Sequence, residues 1–253
     1  MIHFIGAGPG DPELMTMKGR RLIDEADVII YAGSLVNPEV LKGAKPGAEI
    51  RDSAYMNLDE VMEVMVGAAR KGLRVARVHT GDPAIYGAIR EQIDRLEEAG
   101  IECEVVPGVS SFLATAAVLK KEYTLPGVSQ TVIVTRMEGR TPVPEKEKLL
   151  DLARHNASMA IFLSVGFMEE MCETLIAGGY PPDTPVAVVY KATWPEQKIV
   201  AGSLSDIAAK VKAENIEKTA LTVVGGFLGD EYDLSKLYDR NFTTGYRKGE
   251  GSA

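Results

Sequence analysis

Short apolar runs alternate with stretches of helical spacing in the first half of the chain, and this alternation most constrains the fold. The apolar runs cover residues 2–5, 28–31, 75–79 and 103–106. The helical patterns cover residues 13–25, 58–70 and 88–98. Nearly continuous apolar strands separated by helices are typical of a parallel sheet whose two faces are both covered.

A second series of strands follows a turn-forming Leu-Pro-Gly segment at residues 125–127. Its predicted strands are residues 131–134, 159–163, 185–189, 198–201 and 222–224. The segment 190–197 is too short for a helical crossover, so it predicts an antiparallel pair and a mixed sheet. We therefore predict an α/β fold with two α/β domains, residues 1–117 with a mostly parallel sheet and residues 118–230 with a mixed sheet. Residues 231–253 form a polar tail.

Composition excludes several classes of protein. The net charge of −8 argues against nucleic-acid binding, which requires a basic surface. Two cysteines and three histidines, none at ligand spacing, predict neither a disulfide framework nor a metal site. The first residues do not resemble a signal peptide, and no apolar run approaches the roughly 18 residues of a membrane span. We expect a cytoplasmic protein with no membrane segment.

The glycine-rich turn at residues 6–11 follows the first predicted strand. A dinucleotide-binding fingerprint requires glycine at its sixth position, where this chain has Asp11. A carboxylate there would face a pyrophosphate unfavourably at a helix N-terminus. The chain also contains no Gly-Lys pair, which excludes a phosphate-binding P-loop. The turn therefore either lets the backbone approach a ligand closely or serves only as a tight connection.

Two further loops, residues 79–87 and 106–111, also follow predicted strands. Ligands of open α/β sheets bind at the carboxyl ends of strands. Asp82 either caps a helix that begins at Pro83 or accepts hydrogen bonds from a ligand. Ser110 and Ser111 either cap the next helix or bind a ligand. A nucleophilic serine is not predicted, because the surrounding residues do not form a G-x-S-x-G turn.

Two loops in the second half carry cations. The loop after residue 134 contains Arg136 and Arg140, which either clamp an anion or are solvated. The loop 190–195 contains Lys191 and the single tryptophan, Trp194, and is either a ligand-binding loop or a packed aromatic corner. Because all five loops lie at strand ends, we expect them to line one cleft between the two domains.

The sequence resembles the tetrapyrrole methylase family in its ordered motifs GAGPGDPEL, HTGDPAIYG and VPGVSS, and the resemblance extends to about Phe227. The stretches YAGSLV, SQTVIVTRMEGRTPVPE and VVYKATWPEQKIV resemble members that methylate carbon 11 of a corrin-ring precursor. The resemblance implies a homodimer, S-adenosylmethionine as methyl donor and a corrinoid tetrapyrrole as substrate. Ala32 and Ser53 stand where siroheme-forming members carry an acid and a lysine, which argues against uroporphyrinogen methylation.

The resemblance also implies site residues. The implied donor-binding residues are Pro9, Thr80, Gly81, Asp82, Ile85, Tyr86, Ser110, Ser111, Val165, Ala192 and Leu221. Corrinoid precursors carry many carboxylates, so Arg136, Arg140 and Lys191 are the candidate substrate-binding residues. We assign no catalytic acid or base. The alternatives are another activity of the family, such as a different precorrin methylase, uroporphyrinogen methylase or diphthine synthase, and a non-catalytic binding protein.

Overall fold

The computed structural model describes residues 1–250, and the chain divides into two compact units. The first unit comprises Met1–Val118 together with Val189–Lys198, and the second comprises Leu119–Val188 together with the chain from Ile199 onward. The predicted polar tail includes residues 251–253, which lie outside the described residues.

The first unit contains a five-stranded sheet in which every strand is parallel to its neighbours. The strands are β1 (Ile2–Gly6), β2 (Val28–Tyr31), β3 (Glu49–Asp52), β4 (Val75–His79) and β5 (Cys103–Val106). Their spatial order is β3-β2-β4-β1-β5. The connecting helices are α1 (Met17–Glu25), α2 (Leu58–Arg70), α3 (Arg90–Glu98) and α4 (Ser111–Leu119). The predicted parallel sheet is confirmed.

Both faces of this sheet are buried, which explains why its central strands are mostly apolar. Ile29 and Ile30 are neighbours in β2 that point to opposite faces, and both are fully buried. Ile29 packs in a cluster with Ile23 of α1, and Ile30 packs in another with Met65 of α2 and Leu96 of α3. The helices packed on the two faces therefore fix the positions of the strand ends, from which the loops continue.

The structure differs from the predicted elements of the first unit in three places. Strand β3 was not predicted, because its sequence Glu-Ile-Arg-Asp has no apolar run and it is an exposed edge strand. Helix α1 begins at Met17, after a short 3-10 helix, Pro12–Leu14. Helix α3 begins at Arg90, because Ala88 adopts a positive φ of 49° that is incompatible with a right-handed helix.

The second unit contains the predicted mixed sheet. The strands are β6 (Val132–Arg136), β7 (Ser158–Phe162), β8 (Pro185–Tyr190), β9 (Lys198–Ser203) and β10 (Ala220–Val224). Their order is β6-β7-β10-β8-β9. Strand β6 is parallel to β7, and β10 is antiparallel to β7. The helices are α5 (Leu149–Ala153), α6 (Met168–Gly178) and α7 (Ile207–Ala213).

Candidate functional site

Three of the loops singled out from the sequence emerge side by side in the first unit. They follow β1, β4 and β5, and β1 lies between the other two strands. Gly6 at the end of β1 pairs with His79 at the end of β4. Beyond the strands, the backbone N–H of Gly81 donates to Gly8 O at 2.7 Å, and the N–H of Gly8 donates to Gly81 O at 3.2 Å. The three loops thus share the carboxyl edge of the parallel sheet.

Glycines occupy the positions where these loops approach one another. A Cβ atom on Gly6 would lie 2.6 Å from Gly108 N and 2.6 Å from Gly81 O, which is closer than real Cβ contacts allow. A Cβ on Gly108 would lie 2.8 Å from Gly6 Cα. By contrast, Gly81 has a φ of +60°, and a Cβ there would lie 3.5 Å from its nearest neighbours. Gly6 and Gly108 therefore let their backbones pack against each other. Gly81 instead adopts a left-handed backbone conformation and has space beside it.

The carboxylate of Asp82 joins the second loop to the third. Its Oδ1 accepts a hydrogen bond from the backbone N–H of Ala84 at 2.8 Å, and its Oδ2 accepts one from Gly108 N at 2.9 Å. Of the two alternatives for Asp82, the helix cap is wrong, because this segment forms turns and the next helix begins at Arg90. The carboxylate fixes the relative position of two loops and retains lone pairs for a ligand.

A buried imidazole lies at the end of β4. His79 is 5% exposed, and its Nε2 has no hydrogen-bond partner within the part of the chain that the structure describes. Burial, together with the nearby charge of Arg77, lowers the pKa of His79 to about 3. The imidazole is therefore neutral at physiological pH. Arg77 is also buried and donates to Gln92 Oε1 at 3.2 Å and to Ile30 O at 3.4 Å.

Other predicted donor-binding residues of the first unit lie on the same loops. Ser110 is buried, and Ser111 is the first residue of α4. Thr80 and Ile85 are half-buried. Tyr86 is 45% exposed and has a φ of 55°, an uncommon backbone conformation for an aromatic residue. The structure thus gathers these residues at one edge of the sheet.

The loop between β8 and β9 also belongs to the first unit and contains two predicted site residues. Ala192 is buried, and Pro9 on the glycine-rich turn accepts a hydrogen bond from the indole of Trp194. The ammonium of Lys191 lies 4.8 Å from the centre of the Trp194 ring and 3.6 Å from a carboxylate oxygen of Glu196. Lys191 therefore already has electrostatic partners within its own loop.

The two predicted substrate-binding arginines lie in the second unit and differ in their surroundings. Arg140 is exposed. The guanidinium of Arg136 is half-buried and donates to three carbonyl oxygens of its own loop, at Met137 (3.1 Å), Thr141 (3.1 Å) and Pro142 (2.7 Å). Arg136 thus shapes the loop that follows β6. The second unit also contains Val165 and Leu221, which are both buried.

Among residues 1–250, no three His, Cys, Asp or Glu side chains cluster closely enough to hold a metal ion. None of the helices described there is both long and apolar enough to cross a lipid bilayer.

Comparison with known proteins identifies the class to which this fold and site belong. The chain matches the family of tetrapyrrole (corrin/porphyrin) methylases over residues 1–208. It therefore belongs to this family, as the ordered motifs indicated.

Individual relatives narrow the class further. The chain is 61% identical to a cobalt-precorrin-4 C(11)-methyltransferase of Methanocaldococcus jannaschii, over 98% of this chain and 96% of that protein. It is 50% identical to a precorrin-4 C(11)-methyltransferase of Pseudomonas aeruginosa, over 98% of this chain and 99% of the relative.

Solved structures agree with these relatives. The X-ray structure of a cobalt-precorrin-4 methyltransferase of cobalamin biosynthesis is 48% identical, with a TM-score of 0.88 over 90% of this chain and 96% of that chain. A uroporphyrin-III C-methyltransferase of Thermus thermophilus, complexed with S-adenosylhomocysteine, is 28% identical with a TM-score of 0.74, covering 90% and 92%.

Sequence reasoning missed two polar groups at the site. Asn37 directly follows the YAGSLV stretch, and its buried side chain donates to Gly10 O at 2.9 Å. Arg77 lies inside the apolar run 75–79, where its charge stands out. A charged residue inside a strand that is buried on both faces is itself a signal, because such a charge requires partners.

Proposed function

We propose that the chain is an S-adenosylmethionine-dependent C-methyltransferase of cobalamin biosynthesis that methylates carbon 11 of precorrin-4 or cobalt-precorrin-4. The observation that carries this proposal is the 61% identity over nearly the whole length of a relative with that name. Relatives named for the cobalt-containing substrate match at 61% and 48% identity, and one named for the metal-free substrate matches at 50%, so both substrates stay in the proposal.

The carboxyl edge of the first sheet suits a donor made of a nucleoside and an amino-acid arm. The backbone at Gly81 is free of a side chain, and two serines and the Asp82 carboxylate offer hydrogen-bonding groups around it. In the proposal, Asp82 and the backbone at Gly81 hold the amino-acid and ribose parts of the donor. Ser110 and Ser111 lie beside the adenine. Val165 and Leu221, in the second unit, are also predicted to bind the donor.

S-adenosylmethionine supplies a methyl group on a positively charged sulfur, and this sulfur leaves as a neutral thioether when the ring carbon bonds to the methyl. The chain's task is alignment, with the ring carbon held about 3–3.5 Å from the methyl and in line with the breaking bond. An electron-rich pyrrole-type carbon needs no strong base to attack. The neutral, buried His79 therefore need not act as a base, and we assign no catalytic residue.

The substrate's carboxylates require cations, and Arg136, Arg140 and Lys191 are the candidates. Arg140 is exposed and is free to approach an anion without breaking a contact inside its loop. Arg136 acts mainly by shaping the loop through its three carbonyl contacts. Replacing Arg140 by Gln is expected to weaken corrinoid binding and leave the affinity for S-adenosylhomocysteine unchanged.

Replacing Asp82 by Ala is expected to weaken S-adenosylhomocysteine binding measured by calorimetry.

The decisive experiment is mass spectrometry of the products after incubation with S-adenosylmethionine and each of four macrocycles. These are precorrin-4, cobalt-precorrin-4, an earlier precorrin and uroporphyrinogen III. The proposal predicts a gain of one methyl group, located at carbon 11, on one or both precorrin-4 forms. Methylation of uroporphyrinogen III alone would contradict it, and donor binding without methylation of any macrocycle would favour the non-catalytic alternative.

We also propose that the protein is a homodimer in the cytoplasm. The dimer rests on the family resemblance, and the location is supported by two cysteines that are both free thiols in the structure. Light scattering coupled to size-exclusion chromatography distinguishes a dimer from the 27.3 kDa monomer.

A further inference from the structure

The loop at residues 191–197, which we call the tryptophan loop, holds the backbone of the glycine-rich turn in the first unit. The indole N–H of Trp194 donates to Pro9 O at 2.9 Å, and the hydroxyl of Thr193 accepts a hydrogen bond from Asp11 N at 3.0 Å. Asn37 donates to the intervening carbonyl, Gly10 O, at 2.9 Å. Three side chains thus bind three consecutive residues of a turn that has few side chains of its own.

Packing adds to these hydrogen bonds. Trp194 lies so close to Gly10 that a Cβ atom on Gly10 would overlap the indole ring. The ammonium of Lys191 lies over the same ring at 4.8 Å, a cation–π distance. The indole is therefore held between the glycine-rich turn and a cation of its own loop.

The backbone of the tryptophan loop is strained. Thr193 has a φ of 70°, and Lys191 has a φ of 47°. Positive φ is uncommon for residues other than glycine and is an outlier for a β-branched residue such as threonine. The Thr193 conformation is supported by Gln197, whose Oε1 accepts a hydrogen bond from Thr193 N at 2.7 Å. The strained residue, Thr193, is thus the one whose hydroxyl accepts the hydrogen bond from Asp11 N.

We propose that Thr193 and Trp194 are positioning residues that hold the glycine-rich turn in its donor-binding conformation. This inference rests on the proposed function, because it gives the turn, and Pro9 in particular, a role in binding the donor. The two residues act through the backbone at Pro9 and Asp11, and neither is a catalytic residue. Since Trp194 is the single tryptophan of the chain, its fluorescence reports on the turn directly.

A matched pair of variants at Thr193 tests the role of the hydroxyl. Thr193→Val keeps the branched shape but removes the acceptor for Asp11 N, whereas Thr193→Ser keeps the acceptor. Because one hydrogen bond is lost, we expect Thr193→Val to bind S-adenosylhomocysteine about three- to tenfold more weakly. Thr193→Ser should bind close to the wild-type affinity. In turnover assays the loss should appear in KM for the donor, with kcat little changed. A merely structural role would lower thermal stability and leave donor affinity unchanged.

Hydrogen exchange of the glycine-rich turn separates this inference from the proposed function. In the protein without ligand, Thr193→Val and Trp194→Phe should speed amide exchange in a peptide that spans residues 6–11, relative to wild type and Thr193→Ser. Unchanged exchange would overturn the inference even if the enzyme methylates a corrinoid. Faster exchange with unchanged S-adenosylhomocysteine affinity would also overturn it. If wild type fails to bind S-adenosylhomocysteine, the proposed function fails, and the positioning role for donor binding fails with it.

Tryptophan fluorescence supplies a second readout. Adding S-adenosylhomocysteine to wild-type protein should change the Trp194 emission with the same dissociation constant that calorimetry gives. Emission that stays constant while calorimetry detects binding would contradict a direct link between the turn and the indole.

Discussion

His79 makes the stability of this protein depend on pH in a way that can be calculated from the structure. Burial holds its native-state pKa near 3, against 6.5 for an unperturbed histidine. Below pH 6.5 the unfolded chain therefore binds a proton that the native protein does not bind. The native state loses stability as the pH falls from about 6.5 towards 3, and this contribution is fully present above pH 6.5.

The magnitude follows from the two pKa values. Between about pH 7.5 and about pH 5, one histidine with these pKa values costs the native state about 2 kcal/mol of unfolding free energy. Replacing His79 by Gln removes the titrating group and keeps a neutral polar side chain. The variant should therefore lose about 2 kcal/mol less than wild type over the same pH interval, whatever its stability at pH 7.5.

Urea unfolding followed by far-UV circular dichroism measures this difference. Burial also lowers the pKa of His3, but His3 is present in both proteins, so its contribution cancels. His155 is exposed, and His155→Gln is the matched control at a histidine outside the core. Equal losses in wild type and His79→Gln would refute the reasoning, because they would mean that the imidazole titrates alike in the native and unfolded states.

Two further predictions concern packing and thiol chemistry. Gly6→Ala should destabilise the protein by about 1–3 kcal/mol or more, because its Cβ would meet two backbone groups at 2.6 Å. Gly67→Ala, in α2 where nothing lies within 4 Å, should instead stabilise it by about 0.5–1 kcal/mol in the same urea experiment. Burial, and then Glu173, raises the pKa of Cys172 to about 11. Its reaction with a disulfide reagent at about pH 8 should therefore be roughly a hundredfold slower in the native than in the urea-unfolded protein. Equal rates would show that the thiol is not protected.

The sequence is sufficient to predict elements whose pattern follows from burial. Residues 75–79 were predicted as a strand and form β4 with the same bounds, because a strand covered on both faces is apolar almost throughout. Residues 58–70 likewise form α2 as predicted. Strand β3 could not be recognised in this way. It pairs with β2 at the sheet edge, where three of its four residues are exposed, so its backbone pairing leaves no hydrophobic signature.

At the candidate site, the sequence predicted that the loops after β1, β4 and β5 lie together, but it did not predict which groups their side chains contact. Asp82 was correctly placed just after a strand, but the local Asp-Pro pair left a helix cap and a ligand contact as alternatives. Besides the nearby Ala84 N, its carboxylate accepts a hydrogen bond from Gly108 N, which is 26 residues away and comes within reach because β1, β4 and β5 are adjacent. A local pattern contains no information about which distant backbone N–H will face a carboxylate.

The same limitation explains why the sequence left two interpretations of the tryptophan loop, a ligand-binding loop and a packed corner: its partners in the turn after β1 are distant in sequence. Glycines let the turn after β1 approach other backbone, but they deprive it of side chains that would fix its shape. The restraint must then come from elsewhere, and the hydrogen bond between Trp194 and Pro9 spans 185 residues of sequence. A glycine-rich turn that must keep one conformation therefore requires partners outside its own segment. Substitutions in the tryptophan loop should accordingly change the conformation of the turn at the end of β1.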